Sequence, residues 1–301
     1  MSDYHEPVLL KSSIDYLVHN TDGVYVDVTF GGGGHSSELL SRLTSKGKLM
    51  VFDQDDDAES NMLDDPRLIF CKSNFRYLYR FWKWLELPQV DGVLADLGVS
   101  SHQFDVKDRG FSYRFDSQLD MRMNQSSGMS AADVLNAYEE KDLVRVFSEY
   151  GEIRNSKSLA REIVKFRKTQ SGIETSFQLN QLLERLRVGD KNKYLAQVYQ
   201  SLRIEVNDEM GALKEMLSSA LRILKPGGRM VVISYHSIED RLVKRFFKSG
   251  NFEGKIEKDM YGNPLSEIKM IKNLVVPDKD EQERNPRSRS AKMRIAEKIT
   301  D

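Results

Sequence analysis

Val24-Tyr-Val-Asp-Val-Thr-Phe30 runs directly into Gly31-Gly-Gly-Gly34-His35-Ser36, and a helical pattern carrying Leu39, Leu40 and Leu43 follows. A strand, a glycine turn and a helix in that order mark the carboxyl end of a parallel strand, where α/β sheets hold their ligands. Without Cβ atoms such a turn bends tightly and lets a ligand approach the backbone. Outward from this point, runs rich in Val, Ile, Leu and Phe recur at Leu49–Asp53, Leu68–Phe70, Val93–Leu97 and Met230–Tyr235. None alternates strictly, which suits strands covered on both faces. The expected fold is α/β: a mostly parallel sheet with helices on both sides.

The rhythm breaks between Asp105 and Glu205, where no comparable strand run occurs. Ser130-Ala-Ala-Asp133 and Thr175-Ser-Phe-Gln178 have the form of capping boxes, and Gly151, Gly172 and Gly189 separate the helices they open. The reading is a discontinuous sheet domain, 1–104 with 206–301, interrupted by an inserted all-helical domain, 105–205. Val206, Met210, Leu213, Leu217, Ala220, Leu221 and Leu224 then mark one face of a helix, which Lys225-Pro-Gly-Gly228 stops. Ser237-Ile-Glu-Asp240 reads as a further capping box. Residues 251–284 are polar and resist assignment, and Ala291, Met293 and Ile295 alternate as in an edge strand.

Of 301 residues, 40% are hydrophobic and 30% charged, which excludes a disordered chain. No run approaches eighteen apolar residues and the first residues lack a signal-peptide pattern, so a cytoplasmic protein is expected rather than a membrane one. Cys71 alone forms no internal disulfide and holds no zinc; it reads as a small buried hydrophobe, and no metal site is expected. The net charge of -1 is unevenly spread. Residues 1–104 carry 9 Lys and Arg against 16 Asp and Glu, whereas residues 154–205 carry 11 against 5. Such a basic segment suits either a solvated helix face or a polyanion.

Asp53 lies 22 positions after Gly31, at a strand end where a carboxylate accepts hydrogen bonds from two ribose hydroxyls. A bare tight turn and a helix cap are the plainer readings of these two features. Nicotinamide and S-adenosylmethionine cofactors both fit. In G-x-G-x-x-G counted from Gly31 the sixth place holds Ser36, against the Gly or Ala that a dinucleotide turn favours. Asp96, closing Val93-Leu-Ala-Asp96, suits a cationic sulfonium better than a pyrophosphate.

Nine stretches together carry a family resemblance: His5–Leu10, Asp27–Ser36, Asp96–Ser101, Arg109–Ser112, Leu119–Met123, Tyr150–Glu152, Leu202–Asn207, Ser234–Arg241 and Asn285–Ser290. The set closely resembles the bacterial 16S ribosomal RNA cytosine-N4 methyltransferase family over nearly the whole chain. The resemblance implies a class I, Rossmann-like methyltransferase fold with a helical substrate-recognition insert. It implies S-adenosylmethionine as donor and N4 of cytidine 1402 in the decoding region as acceptor. It places Gly33, Gly34, His35, Asp53, Phe75, Asp96 and Gln103 at the cofactor. The partner implied is 16S ribosomal RNA, in the small subunit or an assembly intermediate, with no DNA and no membrane; homo-oligomerisation is left open. Two stretches depart from the family pattern, Tyr150-Gly-Glu-Ile-Arg154 and Gln197-Val-Tyr-Gln-Ser201, both in the insert.

Cytosine N4 is a poor nucleophile because its lone pair is delocalised into the ring, so transfer needs alignment above all. An oxygen near Asp96-Leu97-Gly98 is the expected acceptor for an N4 hydrogen, with Asp96 the candidate catalytic residue. Phe104, Phe111, Tyr113 and Phe115 are candidates to grip a splayed base. Arg154, Lys157, Arg161, Lys165, Arg167, Lys168, Arg287, Arg289 and Lys292 are candidates for phosphates. The competing classes are a nicotinamide-dependent oxidoreductase and a non-catalytic RNA-binding assembly factor.

Overall fold

Hydrophobic runs without alternation become strands buried on both sides, and the computed structural model shows them so. It describes residues 7–98, 109–126, 128–169, 172–262 and 265–299. Helix α1 (Leu10–Leu17) leads to β1 (Val24–Asp27), then α2 (Gly34–Arg42), β2 (Lys48–Asp53) and α3 (Asp56–Glu59). There follow β3 (Leu68–Lys72), a 3-10 turn at Phe75–Tyr77, α4 (Leu78–Trp84) and β4 (Val90–Asp96). All four residues of β1 are buried, as are the first six of β4.

The helical unit contributes α5 (Ala131–Ala137), α6 (Glu140–Glu149), α7 (Ser156–Thr169), α8 (Ser176–Leu186) and α9 (Lys191–Asn207). After α10 (Glu209–Ile223) come β5 (Leu224–Ser234), α11 (Ser237–Ser249), β6 (Ile268–Val275), α12 (Lys279–Arg284) and β7 (Lys292–Lys298). Two units result, Met1–Gly98 with Gly211–Asp301 and Val99–Met210.

Among the described residues the sheet has seven strands in the order β3-β2-β1-β4-β5-β7-β6. The first five run parallel, while β7 is antiparallel to both β5 and β6. This is the arrangement that the family resemblance implies, and it aligns the carboxyl ends of β1, β2, β3 and β4 along one edge. Parallel neighbours β4 and β5 are separated in sequence by residues 97–223, which hold the whole helical unit. Behind the edge lies an apolar core that includes Ile14, Leu17, Tyr25, Leu39, Leu49, Leu94, Ile233 and Ile295. Truncating Leu94, fully buried, to Ala is expected to cost about 2 to 5 kcal/mol.

The helical unit has its own core, built on Leu135, Phe147, Leu159, Ile163, Leu183, Val198 and Leu202. Both of its expected capping boxes form: Ser130 with Asp133 opens α5 and Thr175 with Gln178 opens α8. The two departures from the family pattern meet, because Gln200 Nε2 donates to the Tyr150 carbonyl at 3.0 Å. Tyr199 is buried edge-on against Tyr113 and donates its hydroxyl to Asn180. Of the quoted motifs, Arg109–Ser112 and Leu119–Met123 pack on each other. A Cβ on Gly110 would overlap the Gln118 carbonyl, and Arg109 Nη2 donates to the Arg122 and Met123 carbonyls, both at 3.1 Å. Asn207 completes that clasp through the Met123 N–H and the Met121 carbonyl.

Four local readings need correction. The helical face read from Val206 to Leu224 is split: Asp208 adopts a left-handed conformation between α9 and α10, and Leu224 already begins β5. The expected seam at 205/206 therefore falls inside α9. The box at the start of α11 is shifted by one residue, with His236 as cap and Glu239 as its partner. Finally, β7 lies inside the sheet with β6 outside it, because the unassigned polar stretch supplies an edge strand whose exposed residues include Lys269 and Lys272.

Candidate active site

The glycine turn is held open by its own backbone. Gly31 and Gly33 both have positive φ, 52° and 75°, and Gly33 caps α2 so that the helix N-terminus faces the strand ends. Gly34 has no room for a side chain: a Cβ there would overlap the Pro7 ring. Below the turn, buried Asp27 accepts from the Thr29 N–H at 3.0 Å and from Ser36 Oγ at 2.7 Å. Ser36, the residue that breaks the dinucleotide pattern, thus pins α2 to β1 through a buried hydroxyl.

Asp53 closes β2 beside the turn. Its Oδ2 accepts from the Gly31 N–H at 2.8 Å and its Oδ1 from the Asp55 N–H at 2.9 Å. Burial raises its pKa, and the N–H groups of Asp55, Gly31 and Gln54 pull the other way. A carboxylate offers about four acceptor positions, so capacity remains for a ribose hydroxyl. Phe75 follows β3, half-buried, at the head of the 3-10 turn. Asn74 caps that turn and donates to Gln54 Oε1 at 2.8 Å, joining the loops after β2 and β3.

Asp96 ends β4 and is held from three sides. Its N–H donates to Thr29 Oγ1 at 2.7 Å, its Oδ1 accepts from the Tyr235 hydroxyl at 2.7 Å, and its Oδ2 lies 3.8 Å from His35 Nδ1. At 3.8 Å the last pair is too long for a hydrogen bond. His35 Nε2 sits 3.1 Å from the Val8 carbonyl, an acceptor only, so Nε2 carries a hydrogen and Nδ1 faces the carboxylate. Burial pushes the Asp96 carboxyl up to about 6, against the opposing pull of His35 and Tyr235. Tyr235 is raised well above its ordinary value by burial and by the Asp96 charge. Its N–H donates to Glu239 Oε2 at 3.0 Å, so the α11 capping box also fixes the tyrosine.

Four strand ends and the loops after them thus bring Gly33, Gly34, His35, Asp53, Phe75 and Asp96 to one edge of the sheet. Gln103 and Phe104 lie outside the described residues, as do Val99, Ser100 and Ser101. Sequence alone assigns no role to Tyr235, Glu239 or Asp27. The register of β4 with β5, which sets Asp96 beside Ile233, explains the nearness of Tyr235 two residues on. A tyrosine at a strand end in this slot was the available signal.

The other candidates sort by burial. Phe111 is buried in the helical core beneath Arg109, and Tyr113 packs on Tyr199, so neither is offered to a base. Phe115 is half-buried. Arg167 does not fit a phosphate role: its Nη1 and Nη2 donate to the Leu135 and Tyr138 carbonyls at 2.7 and 2.6 Å, closing the end of α5. Lys157, Arg161, Lys165 and Lys168 are exposed on α7 at spacings of four, four and three, one side of the helix, with Arg154 exposed just before it. Lys292 is turned to Asp240 at 3.4 Å, whereas Arg287 and Arg289 are exposed. Cys71 is buried and its thiol is pushed up to about 12, an inert group. No helix among the described residues is long and apolar enough to cross a membrane.

A model of the MraW methylase family matches residues 2–299. A protein of Parabacteroides distasonis named ribosomal RNA small subunit methyltransferase H is 58% identical over 301 residues, covering 99% of this chain and 98% of that one. One of the same name from Bacteroides fragilis is 56% identical over 297 residues, 98% of this chain and 97% of that one. Among solved structures, an rRNA methylase from Streptococcus thermophilus aligns over 96% of this chain and 92% of that one at TM-score 0.42 and 10% identity.

Proposed function

The chain belongs to the MraW methylase family, and from that premise we propose how its residues divide the work of the methyl transfer. The enzyme uses S-adenosylmethionine to methylate the exocyclic N4 of a cytidine in 16S ribosomal RNA. Cytidine 1402 of the decoding region is the target we infer. Membership removes the nicotinamide-dependent alternative.

The residues present fit the cofactor. Gly34 sits where a Cβ would overlap Pro7, which leaves the turn as bare backbone, and Asp53 retains acceptor capacity for a ribose hydroxyl. Gly33, Gly34 and His35 would border its amino-acid end, Asp53 would hold the ribose, and Phe75 would cover the adenine. Gln103 belongs to the same set by resemblance. When bound, the cofactor supplies an electrophilic methyl carbon on a sulfonium.

The single observation that carries the reading is the placement of Asp96 at this edge, held by Thr29, Tyr235 and His35. A carboxylate fixed by its backbone and by one oxygen keeps the remaining lone pairs oriented. Those lone pairs would accept an N4–H of cytosine, drawing the nitrogen out of conjugation and taking its proton after transfer. Holding N4 in line with the methyl carbon can contribute about 7 to 11 kcal/mol. Arg154 and the exposed cations of α7 would grip RNA phosphates.

The test is incubation of the protein with isotopically labelled S-adenosylmethionine and small subunits lacking the modification, followed by digestion and mass spectrometry of nucleosides. Label in N4-methylcytidine is expected. Label in another nucleoside, or none while the cofactor still binds, would refute the assignment.

A further inference from the structure

From Pro66 to Leu85 the acidic front of the chain contains no Asp or Glu, while five cations and seven aromatic residues crowd together, including both tryptophans of the protein. The fold sorts these residues by side. Leu78 and Phe81 turn inward, Leu78 fully buried and Phe81 edge-on to Phe52 of β2 at 5.5 Å. Tyr77, Arg80 and Trp84, at spacings of three and four, lie along the opposite side, with Lys83 exposed beside them. Trp84 is 75% exposed and Tyr77 38%, high values for side chains of their size. Arg80 lies over the Tyr77 ring at 5.2 Å, and Arg222 of α10 lies over the Tyr79 ring at 3.9 Å.

Exposed rings interleaved with cations are poorly explained as packing. They suit a strand of bases that stack on π-faces while its phosphates meet the guanidinium and ammonium groups. An apolar protein partner would have to strip water from the exposed Arg80 and Lys83. We propose that this side of α4 is a second RNA-binding strip that holds single-stranded nucleotides flanking the target, and it rests on the RNA reading above. Tyr77 to Trp84 spans about 10 Å along the helix, enough for two or three nucleotides. The 3-10 turn that presents Phe75 also carries Tyr77, so a strand entering here starts beside the cofactor edge.

The probe is a ten-nucleotide oligouridylate, titrated into the full chain while tryptophan fluorescence is read. Quenching is expected in the wild type. Trp84→Ala should weaken binding about tenfold, and Trp84→Phe should restore most of it. Arg80→Ala with Lys83→Ala should lower the salt slope by about 1.4. On unmodified small subunits these variants should raise KM and leave kcat and cofactor affinity unchanged. Wild-type oligonucleotide affinity and KM in Trp84→Ala would overturn the strip while leaving the RNA reading standing. So would self-association of the wild type that Trp84→Ala abolishes, since the strip would then join two copies. Failure of the wild type to methylate any nucleoside of the subunit would instead overturn the reading beneath it.

Discussion

At the carboxyl edge of the sheet, the described carboxylates of the candidate site are held by the protein itself. Asp27 has Thr29 and Ser36, Asp53 has Gly31 and Asp55, and Asp96 has Thr29, Tyr235 and His35. Along α7 the opposite holds: Arg161 and Lys165 are 69% and 72% exposed and meet Glu140 and Glu162 only at 3.9 Å. Pairs that open and that wet are worth about 0 to 1 kcal/mol and give way to a phosphate readily. Chemistry on a fixed nitrogen needs groups that do not reorganise, whereas gripping a polyanion needs charges that remain hydrated until contact.

The contrast can be broken by substitution. Asp96→Asn should cost methyl transfer about a hundredfold or more in single-turnover rate with RNA affinity unchanged; a rate near the wild type would remove Asp96 from the chemistry. Asp53→Ala should weaken S-adenosylmethionine about ten- to a hundredfold by calorimetry, and an unchanged affinity would take Asp53 out of the ribose site. Replacing Lys157, Arg161, Lys165 and Lys168 together by Ala should weaken RNA about tenfold at moderate salt and flatten its salt dependence, with cofactor affinity untouched. Arg167→Ala, within one helical turn of Lys165 and Lys168, should instead cost about 1 to 3 kcal/mol of stability in denaturant melts and leave the salt slope alone.

The finest cut concerns pH. A carboxylate that accepts a proton must be ionised, so activity should fall on the acid side through about 6, the Asp96 value. Tyr235 favours the ionised form by its hydrogen bond, so Tyr235→Phe should move that limb to higher pH. Stability has the opposite sense. A carboxyl raised in the folded state favours folding while protonated, and that contribution is lost as pH rises through about 6.

Much of this edge is legible in the sequence, because strand ends and glycine turns are local signals. The turn at Gly31–Gly34, Asp53 and Asp96 sit at the ends of apolar runs and need no partner to be noticed. Tyr235 and Asp27 do not announce themselves, since their importance comes from register between strands distant in sequence. Arg167 is read as one of six similar cations because composition cannot tell a guanidinium closing a helix from one in water. The α11 cap slips for a related reason: both Ser237 and His236 have an acidic residue three places on, and only the chain's exit from β5 decides between them. Polar β6 is missed because an edge strand has one covered side at most.

The neighbourhood of β4 and β5 bears on the order in which the protein folds. Asp96 and Tyr235 meet only after the chain has closed on itself across residues 97–223. As a flexible coil, that segment would make closure about 2 kcal/mol harder than an ordinary crossover of a dozen residues. A helical unit already collapsed on its own core presents a much shorter effective tether. The helical unit is thus expected to act as a chaperone in cis for the sheet, and damage to its core should surface first as slow refolding of the sheet.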